Sequence, residues 1–255
     1  MSTDLDSATV EHARALIAEA QRITILTGAG ISTDSGLPDF RGPNGIWTKN
    51  PEAEKASTIS HYVNEPNVRK VNWKLRADGA LWANVAPNDG HRALLALQDR
   101  GVLHTLVTQN VDELHQMSGI DPDLVVEIHG TTRKAGCLSC DYRTTMDAVL
   151  ERVRSGEQDP DCPECGGIMK SATISFGQAL IAADLQRAQQ AADEADLLLA
   201  IGSSLQVNPI ASIVPRAVRG GASLVIVNGE PTPFDGIADA VVNASISEVL
   251  PSLIG

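Results

Sequence analysis

Strand and helix patterns alternate at both ends of the 255-residue chain, and this alternation constrains its fold more than any other feature. Short apolar runs predict buried strands at residues 23–27, 102–108, 124–128, 196–201 and 222–227. Apolar positions at helical spacing predict helices from Ser7, around residues 93–97, and at 184–195 and 209–218. Residues 238–242 and 245–253 close the chain. Strands joined through helices make right-handed crossovers, so the predicted fold class is α/β with a doubly wound parallel sheet.

The composition agrees with such a sheet and narrows the range of partners. Aromatic residues make up 3% of the chain, so its core must be aliphatic, as in parallel sheets covered on both faces. A formal net charge of −12 disfavours nucleic acid, whose phosphates repel an acidic surface. No apolar run approaches the roughly 18–20 residues of a membrane helix, and the N-terminal residues lack the apolar core of a secretory signal. We therefore expect a cytoplasmic protein without nucleic-acid or membrane partners.

Chemically distinctive residues follow several of the predicted strands. They are Gly28, Gln109 with Asn110, His129, Gly202 to Ser204, and Asn228. Because ligands of such sheets bind beyond the carboxyl ends of the strands, we expect these residues to share one site.

Two segments interrupt the alternation. Residues 42 to about 87 are polar with weak helical patterning, and residues 131–172 hold all four cysteines without a clear strand–helix unit. We interpret both as insertions into the sheet domain, and we expect them to form a second, smaller lobe together.

The cysteines form two Cys-x2-Cys pairs, Cys137 with Cys140 and Cys162 with Cys165, which 21 residues separate. This doubled spacing is typical of a tetrahedral four-cysteine zinc site. Four thiolates leave no open coordination position, so we expect a structural zinc and not a catalytic one. The alternative is two disulfides, which a cytoplasmic location disfavours.

The first predicted strand leads directly into Gly28-Ala29-Gly30-Ile31-Ser32. Glycines after a strand permit close backbone approach, and the start of a following helix favours anionic oxygen, so the segment suggests a phosphate cradle. As a general dinucleotide fingerprint it is incomplete, because Thr33 stands where the third glycine would fall. By itself the segment does not select a particular nucleotide.

A longer, ordered set of motifs resembles the signature of the sirtuin family. The set consists of Gly28-Ala29-Gly30-Ile31-Ser32, Ser35-Gly36-Leu37-Pro38-Asp39-Phe40-Arg41-Gly42, Gly45-Ile46-Trp47, Thr108-Gln109-Asn110-Val111-Asp112 with Leu114-His115, His129-Gly130, the two cysteine pairs, Phe176-Gly177, Gly202-Ser203-Ser204-Leu205 and Val227-Asn228. The motifs occur in the family's order from about residue 20 to 245, so the resemblance covers nearly the whole chain.

The resemblance implies an NAD-dependent protein lysine deacylase whose co-substrate is NAD and whose partners are acetylated proteins or peptides. It implies a Rossmann-like, NAD-binding large domain of residues 1–42, 86–130 and 172–255. The smaller lobe would consist of a helical insertion at residues 43–85 and a zinc module at residues 131–171, with the substrate in the cleft between the lobes.

The resemblance also implies roles for individual residues. His129 would be the general base that takes a proton from a ribose hydroxyl, and Asn110 would be a second catalytic residue. The substrate peptide would pair as an added strand and contact Phe176, Gly177, Gln178 and Val207. Zinc would bind Cys137, Cys140, Cys162 and Cys165. The cofactor-binding residues would be Gly28, Ala29, Gly30, Ser32, Asp39, Phe40, Arg41, Trp47, Gln109, Asn110, Asp112, His129, Gly202, Ser203, Ser204, Asn228, Gly229 and Glu230.

Departures from the family pattern leave alternatives open. Gln178 stands where Glu is commoner, and Glu113 replaces the usual glycine. Trp73-Lys74-Leu75-Arg76 is the nearest match to the Tyr-x-x-Arg pair of sirtuins that prefer acidic acyl groups. We expect deacetylation, with nicotinamide, O-acetyl-ADP-ribose and free lysine as products. The alternatives are removal of longer or acidic acyl groups and mono-ADP-ribosyl transfer to protein.

Overall fold

A computed structural model describes residues 7–39, 42, 45–49, 57–79 and 85–255. The helices are α1 (Ser7–Glu19), α2 (Ile46–Lys49), α3 (Ile59–Asn64), α4 (Pro66–Ala77), α5 (Asp89–Asp99), α6 (Leu114–Met117), α7 (Met146–Arg154), α8 (Ala182–Glu194), α9 (Ile213–Arg219) and α10 (Ile246–Ile254). The strands are β1 (Ile23–Thr27), β2 (Leu103–Thr108), β3 (Val125–Glu127), β4 (Gly130–Cys137), β5 (Arg143–Thr145), β6 (Met169–Thr173), β7 (Leu197–Ile201), β8 (Ser223–Val227) and β9 (Ala240–Val242). Short 3-10 turns cover Ala29–Ser35, Pro122–Leu124, Ile210–Ser212 and Asp235–Ile237.

Six strands form one sheet in the order β3-β2-β1-β7-β8-β9, and every neighbouring pair is parallel. The central strand β1 sets the register, since Leu26 lies opposite Val107 on one side and Ala200 on the other. The predicted α/β fold class with a doubly wound parallel sheet is confirmed. All six carboxyl ends therefore meet at one edge of the sheet.

Alternate side chains of each central strand enter different cores, which explains why the strand sequences are almost wholly apolar. Ile25 and Leu199 pack on one face with α1, α5 and α10. Leu26 and Leu198 pack on the other face with α8 and α9. Burial on both faces fixes the position of the strand ends, and with them the residues that follow.

A second sheet lies within the cysteine-containing segment. Its antiparallel order is β5-β4-β6, and it shares a third core with α4 and α7. Trp73 of α4 is fully buried in that core together with Met169 of β6. The helical insertion and the cysteine segment therefore pack as one unit, as expected for the smaller lobe.

Several predicted elements differ from the observed ones in their bounds or type. The strand predicted at 124–128 is shorter because Pro122 begins a 3-10 turn that extends through Leu124. The helix predicted at 209–218 divides into a 3-10 turn and α9. The antiparallel sheet, whose strands extend from residue 130 to residue 173, was not predicted. Within the described residues, no helix is long and apolar enough to cross a membrane.

Candidate active site

A cleft of about 1490 Å³ opens at the carboxyl edge of the large sheet. Residues that follow β1, β2, β6, β7 and β8 line it, and so do residues of α3 and α4. The sequence-predicted residues that line the cleft are Gly28, Ala29, Gly30, Ser32, Asp39, Gln109, Asn110, Asp112, His129, Phe176, Gly177, Gln178, Gly202, Ser203, Ser204, Val207, Asn228 and Glu230. Gly229 lies between two lining residues without lining the cleft itself.

The glycine segment after β1 packs directly against the loop after β7. Gly28 N–H donates to the carbonyl of Ile201 at 2.9 Å, and Gly30 N–H donates to that of Gly202 at 2.8 Å. A Cβ at Gly28 would lie 2.7 Å from the Gly202 oxygen, and one at Gly30 would lie 2.8 Å from Gly202 Cα. Glycine is thus required at both positions, because a side chain would keep the two backbones apart. The segment continues as a 3-10 turn, where the sequence suggested the start of a helix.

Asn110 and Asp112, which follow β2, form a buried polar network with Ser32. The Asn110 amide donates to the Gly28 carbonyl at 3.1 Å and to Ser32 Oγ at 3.2 Å. Ser32 Oγ in turn donates to Asp112 Oδ2 at 2.8 Å, and Leu114 N–H donates to Asp112 Oδ1 at 3.0 Å. Burial raises the pKa of Asp112. With both amide protons engaged, the side-chain oxygen of Asn110 is the group that can accept from a ligand.

His129 lies two residues beyond β3 and is half-buried in the cleft wall. Its Nδ1 is 3.1 Å from the Gln109 carbonyl oxygen. A carbonyl only accepts, so Nδ1 carries the proton and Nε2 keeps its lone pair. Burial lowers the pKa of His129, which keeps the ring neutral near pH 7. The ring is therefore arranged as a base.

Polar groups after β7 and β8 complete this edge of the cleft. Gln109 Nε2 donates to Ser203 Oγ at 2.8 Å, which joins the loops after β2 and β7. Asn228, which follows β8, donates from its amide to the Glu230 carbonyl at 2.6 Å. The expected convergence of strand-end residues on one site is confirmed in geometry, whereas their individual roles stay predictions.

Phe176, expected to offer a strand edge to a peptide, is already paired through its backbone. Its N–H donates to the Ser57 carbonyl at 3.1 Å, and its carbonyl accepts from Ile59 N–H at 2.9 Å. A turn closed by Gln178 N–H on the Ser175 carbonyl follows at once. Any peptide pairing at this segment would therefore have to use backbone groups after Phe176.

Four predicted residues belong to the segment before α3. Asp39 lines the cleft and accepts from Gly42 N–H at 3.1 Å. Phe40 and Arg41 lie outside the described residues, as does the side chain of Trp47.

The match of Trp73-Lys74-Leu75-Arg76 to the family's Tyr-x-x-Arg pair fails at Trp73. The indole is fully buried in the core of the small lobe, so only Arg76 of the Trp-x-x-Arg sequence reaches the cleft. Tyr62 and Lys170 also line this part of the cleft and were not predicted. The sequence gives no signal for Tyr62 and Lys170, because their neighbours along the chain show only weak patterning. They lie near Arg76 only because α3 packs against β6 in the folded chain.

The four cysteine sulfurs all lie within 4.8 Å of one another, with contacts of 3.4, 3.5 and 3.6 Å. A disulfide would need about 2.05 Å, so this arrangement is not a pair of disulfides. Four sulfurs at about 2.3 Å from one tetrahedral zinc would be about 3.8 Å apart. The donor set and its spacing therefore fit a zinc ion. Gly167 permits this packing, since a Cβ there would lie 2.9 Å from Cys137 Sγ.

A parallel sheet with a glycine cradle, a neutral histidine at the strand ends and a four-cysteine lobe defines an α/β protein of the sirtuin class. The model of the Sir2 family matches residues 28–209, and the chain belongs to this family.

Individual relatives are similar over nearly the whole chain. An "NAD-dependent protein deacetylase 2" of Streptomyces coelicolor is 46% identical over 232 residues, covering 91% of this chain and 96% of the relative. A solved Sir2 with a p53 peptide and NAD+ has a TM-score of 0.83 at 32% identity, covering 94% of this chain and 95% of that one. Another, with a deacetylated p53 peptide and 3′-O-acetyl ADP-ribose, has a TM-score of 0.84 at 33% identity with the same coverage.

Proposed function

We propose that this chain is an NAD-dependent protein lysine deacetylase that yields nicotinamide, O-acetyl-ADP-ribose and free lysine. The observation that carries the proposal is the neutral ring of His129, which faces the cleft with Nε2 unprotonated because Nδ1 is committed to the Gln109 carbonyl. Membership of the Sir2 family and the names of the relatives support the same reaction.

The residues that line the cleft fit NAD. The cleft has a volume of about 1490 Å³, and four neighbouring strands end in amide, hydroxyl and glycine backbone groups along it. We assign Gly28, Gly30, Ser203 and Asn228 to the phosphate and adenosine side, with Ala29, Ser204, Gly229 and Glu230 beside them. Gln109, Asn110, Ser32 and Asp112 belong to the nicotinamide-ribose side. When bound, NAD supplies a scissile glycosidic bond to nicotinamide and an ADP-ribose that accepts the acetyl group.

His129 and Asn110 are the catalytic residues of this proposal. His129 Nε2 takes the proton of a ribose hydroxyl, and the Nδ1–H bond to the Gln109 carbonyl stabilises the imidazolium that results. Asn110 is held by Gly28 and Ser32 so that its side-chain oxygen orients the ribose. Asp39, Phe40, Arg41 and Trp47 remain proposed cofactor-binding residues of the segment that would exclude water.

An acetylated protein segment is the proposed partner in the cleft. Gly177, Gln178 and Val207 are the residues that would contact its backbone, and Phe176 would contact it through its side chain. For the two lobes we propose the boundaries that the sequence predicts: an NAD-binding domain of residues 1–42, 86–130 and 172–255, and a small lobe of residues 43–85 and 131–171. A structural zinc on Cys137, Cys140, Cys162 and Cys165 would hold the second part of that lobe together.

The test is incubation of the full chain with an acetyl-lysine peptide, with and without NAD, followed by mass spectrometry. We expect the peptide to lose its acetyl group and nicotinamide to appear only when NAD is present. The matched control is His129→Ala, which should keep the melting temperature and lose deacetylation. A peptide that gains the mass of ADP-ribose would identify a transferase instead, and no NAD-dependent change would contradict the proposal.

A second candidate substrate, a lysine with an acidic acyl group, is favoured by two cations in the cleft wall. Arg76 Nη2 donates to Ser171 Oγ at 3.3 Å, and Lys170 Nζ donates to Thr173 Oγ1 at 3.4 Å. Burial, with the charge of Arg76, lowers the pKa of Lys170 to about 8. Rates on acetyl and succinyl peptides decide between the two. If the chain prefers the succinyl peptide and Arg76→Met loses that preference, succinyl-lysine is the substrate in place of acetyl-lysine.

A further inference from the structure

Two histidines with no role in the proposed reaction are buried behind the loop that carries Asn110. His91 of α5 and His115 of α6 are 0% and 1% exposed, and their rings pack with centroids 5.0 Å apart. Burial lowers the pKa of His115 well below its ordinary value, so the ring is neutral. At this depth His115 cannot touch a molecule in the cleft, and any effect on the reaction must pass through another residue.

Hydrogen bonds connect His115 to Asn110 through the last residues of β1 and β2. His115 Nε2 is 2.9 Å from Thr27 Oγ1, and Thr27 Oγ1 donates to Thr108 Oγ1 at 2.8 Å. Thr108 Oγ1 also accepts the backbone N–H of Asn110 at 3.0 Å. Because the Thr27 proton is given to Thr108, Thr27 must accept from His115, so Nε2 carries the ring proton. Nδ1 is then bare, and it has no partner among the described residues.

We propose that His115 is a positioning residue for Asn110. Its Nε2–H fixes the hydroxyl of Thr27, which points the Thr27 proton at Thr108 and leaves Thr108 Oγ1 as an acceptor for Asn110 N–H. The carbonyl of Thr27 accepts from Gln109 N–H at 2.9 Å, so the same threonine holds two successive residues of the loop. This inference rests on the proposed function, because positioning has a consequence for catalysis only if Asn110 acts on the ribose.

Two variants separate the hydrogen bond from the volume of the ring. His115→Gln places an amide nitrogen near the position of Nε2, whereas His115→Phe keeps a ring and loses the donor. We expect His115→Phe to lower kcat/KM for NAD by roughly 10- to 100-fold, the scale of a misplaced catalytic group. His115→Gln should restore most of that loss. Leu253→Ala, a buried substitution on α10 far along the chain, controls for lost stability.

Two readouts do not depend on turnover. Nuclear magnetic resonance of isotopically labelled histidine should find the His115 ring neutral with its proton on Nε2. Amide hydrogen exchange at Asn110 should be slow in the wild type and in His115→Gln, and faster in His115→Phe. A proton on Nδ1, or unchanged exchange in His115→Phe, overturns the proposal even if that variant is inactive.

The kinetic outcomes are equally decisive. Equal losses in His115→Gln and His115→Phe, or an equal loss in Leu253→Ala at a matched melting temperature, would make His115 merely structural. A wild-type chain that releases no nicotinamide would refute the proposed function, and the resonance and exchange measurements would still decide the placement of the His115 proton and of Asn110.

Discussion

At the residue scale, His129 depends on one hydrogen bond for its tautomer and on burial for its charge. It acts as a base only while Nε2 is unprotonated, and burial lowers its pKa below the ordinary value of 6.5. Activity should therefore hold as the pH falls through 6.5 and decline only at lower pH. We expect the acid limb of kcat/KM for NAD, which reports the groups of the free enzyme, to have its midpoint below pH 6.5, measured over a series of buffers with an acetyl-lysine peptide. A midpoint above 6.5 would contradict this arrangement.

Glu113 is a residue whose backbone favours glycine. Its φ of 61° and ψ of 18° lie in the left-handed region, while its carboxylate accepts from Thr131 Oγ1 at 2.5 Å and pairs with Arg133 at 3.3 Å. Glu113→Ala and Glu113→Gly lose the same contacts, but only alanine retains the strain. We expect the free energy of unfolding of Glu113→Ala, measured in urea, to be about 1 kcal/mol lower than that of Glu113→Gly. Equal stabilities would show that the left-handed conformation relaxes on substitution.

The residues that converge on the cleft were predictable where topology alone determines their place. Parallel strands bring Gly28, Asn110 and Asn228 to one edge whatever their side chains are. The hydrogen bond between Thr27 and His115 was not predictable, because a buried contact between distant residues leaves no periodic pattern. Arg76 was noted only as part of the nearest match to a Tyr-x-x-Arg pair, and Trp73 of that match is a core residue.

At the element scale, the cysteine segment depends on its sulfur cluster. Strands β4, β5 and β6 share a small core, and two of its buried residues are Cys137 and Cys162. Removing the metal would leave four converging thiols without the ion that neutralises them. We expect a chelator, or Cys162→Ser, to abolish zinc in atomic absorption and to raise amide exchange across residues 130–173. Exchange in β7 and β8 of the large sheet should stay slow. A uniform increase of exchange in both sheets would contradict the prediction that only the cysteine segment depends on zinc.

Whether an element could be predicted depends on which core buries it. Strands β1 and β7 were predicted almost to the residue, because every position is buried and glycine follows each of them. Strand β4 was missed, because its sequence GTTRKAGC alternates little and the small core that it shares includes cysteines and Trp73. Periodicity detects burial against a large sheet better than burial against a small core.

At the scale of the whole molecule, one ion pair ties the helical insertion to the cysteine segment. Arg69 of α4 approaches Asp159 at 2.8 Å, with side chains 11% and 20% exposed, and also donates to the carbonyls of Tyr62 and Val63. We expect Arg69→Met to lower the free energy of unfolding in urea by about 2 kcal/mol, because Asp159 keeps a poorly hydrated charge without its partner. KM for the peptide should rise more than kcat falls, since the cleft wall moves.

The matched control is Arg152→Met, which breaks a more exposed pair with Glu157 in the same lobe. That change should cost less than about 1 kcal/mol, as surface ion pairs usually do. Equal costs for the two variants would mean that the Arg69 pair does not join the two parts of the lobe. The lobe boundaries and the cytoplasmic location inferred from sequence stay predictions.

The backbone contacts between the loops after β1 and β7 exist before any dinucleotide arrives. Two N–H···O bonds link Gly28 and Gly30 to Ile201 and Gly202, and no side chain intervenes. This half of the cleft is therefore preorganised, so a ligand that enters it has little conformational entropy to remove. Affinity for ADP-ribose should thus survive changes in the acyl-lysine half of the cleft, and the adenosine half can act as a fixed anchor while the rest of the site adapts to its peptide.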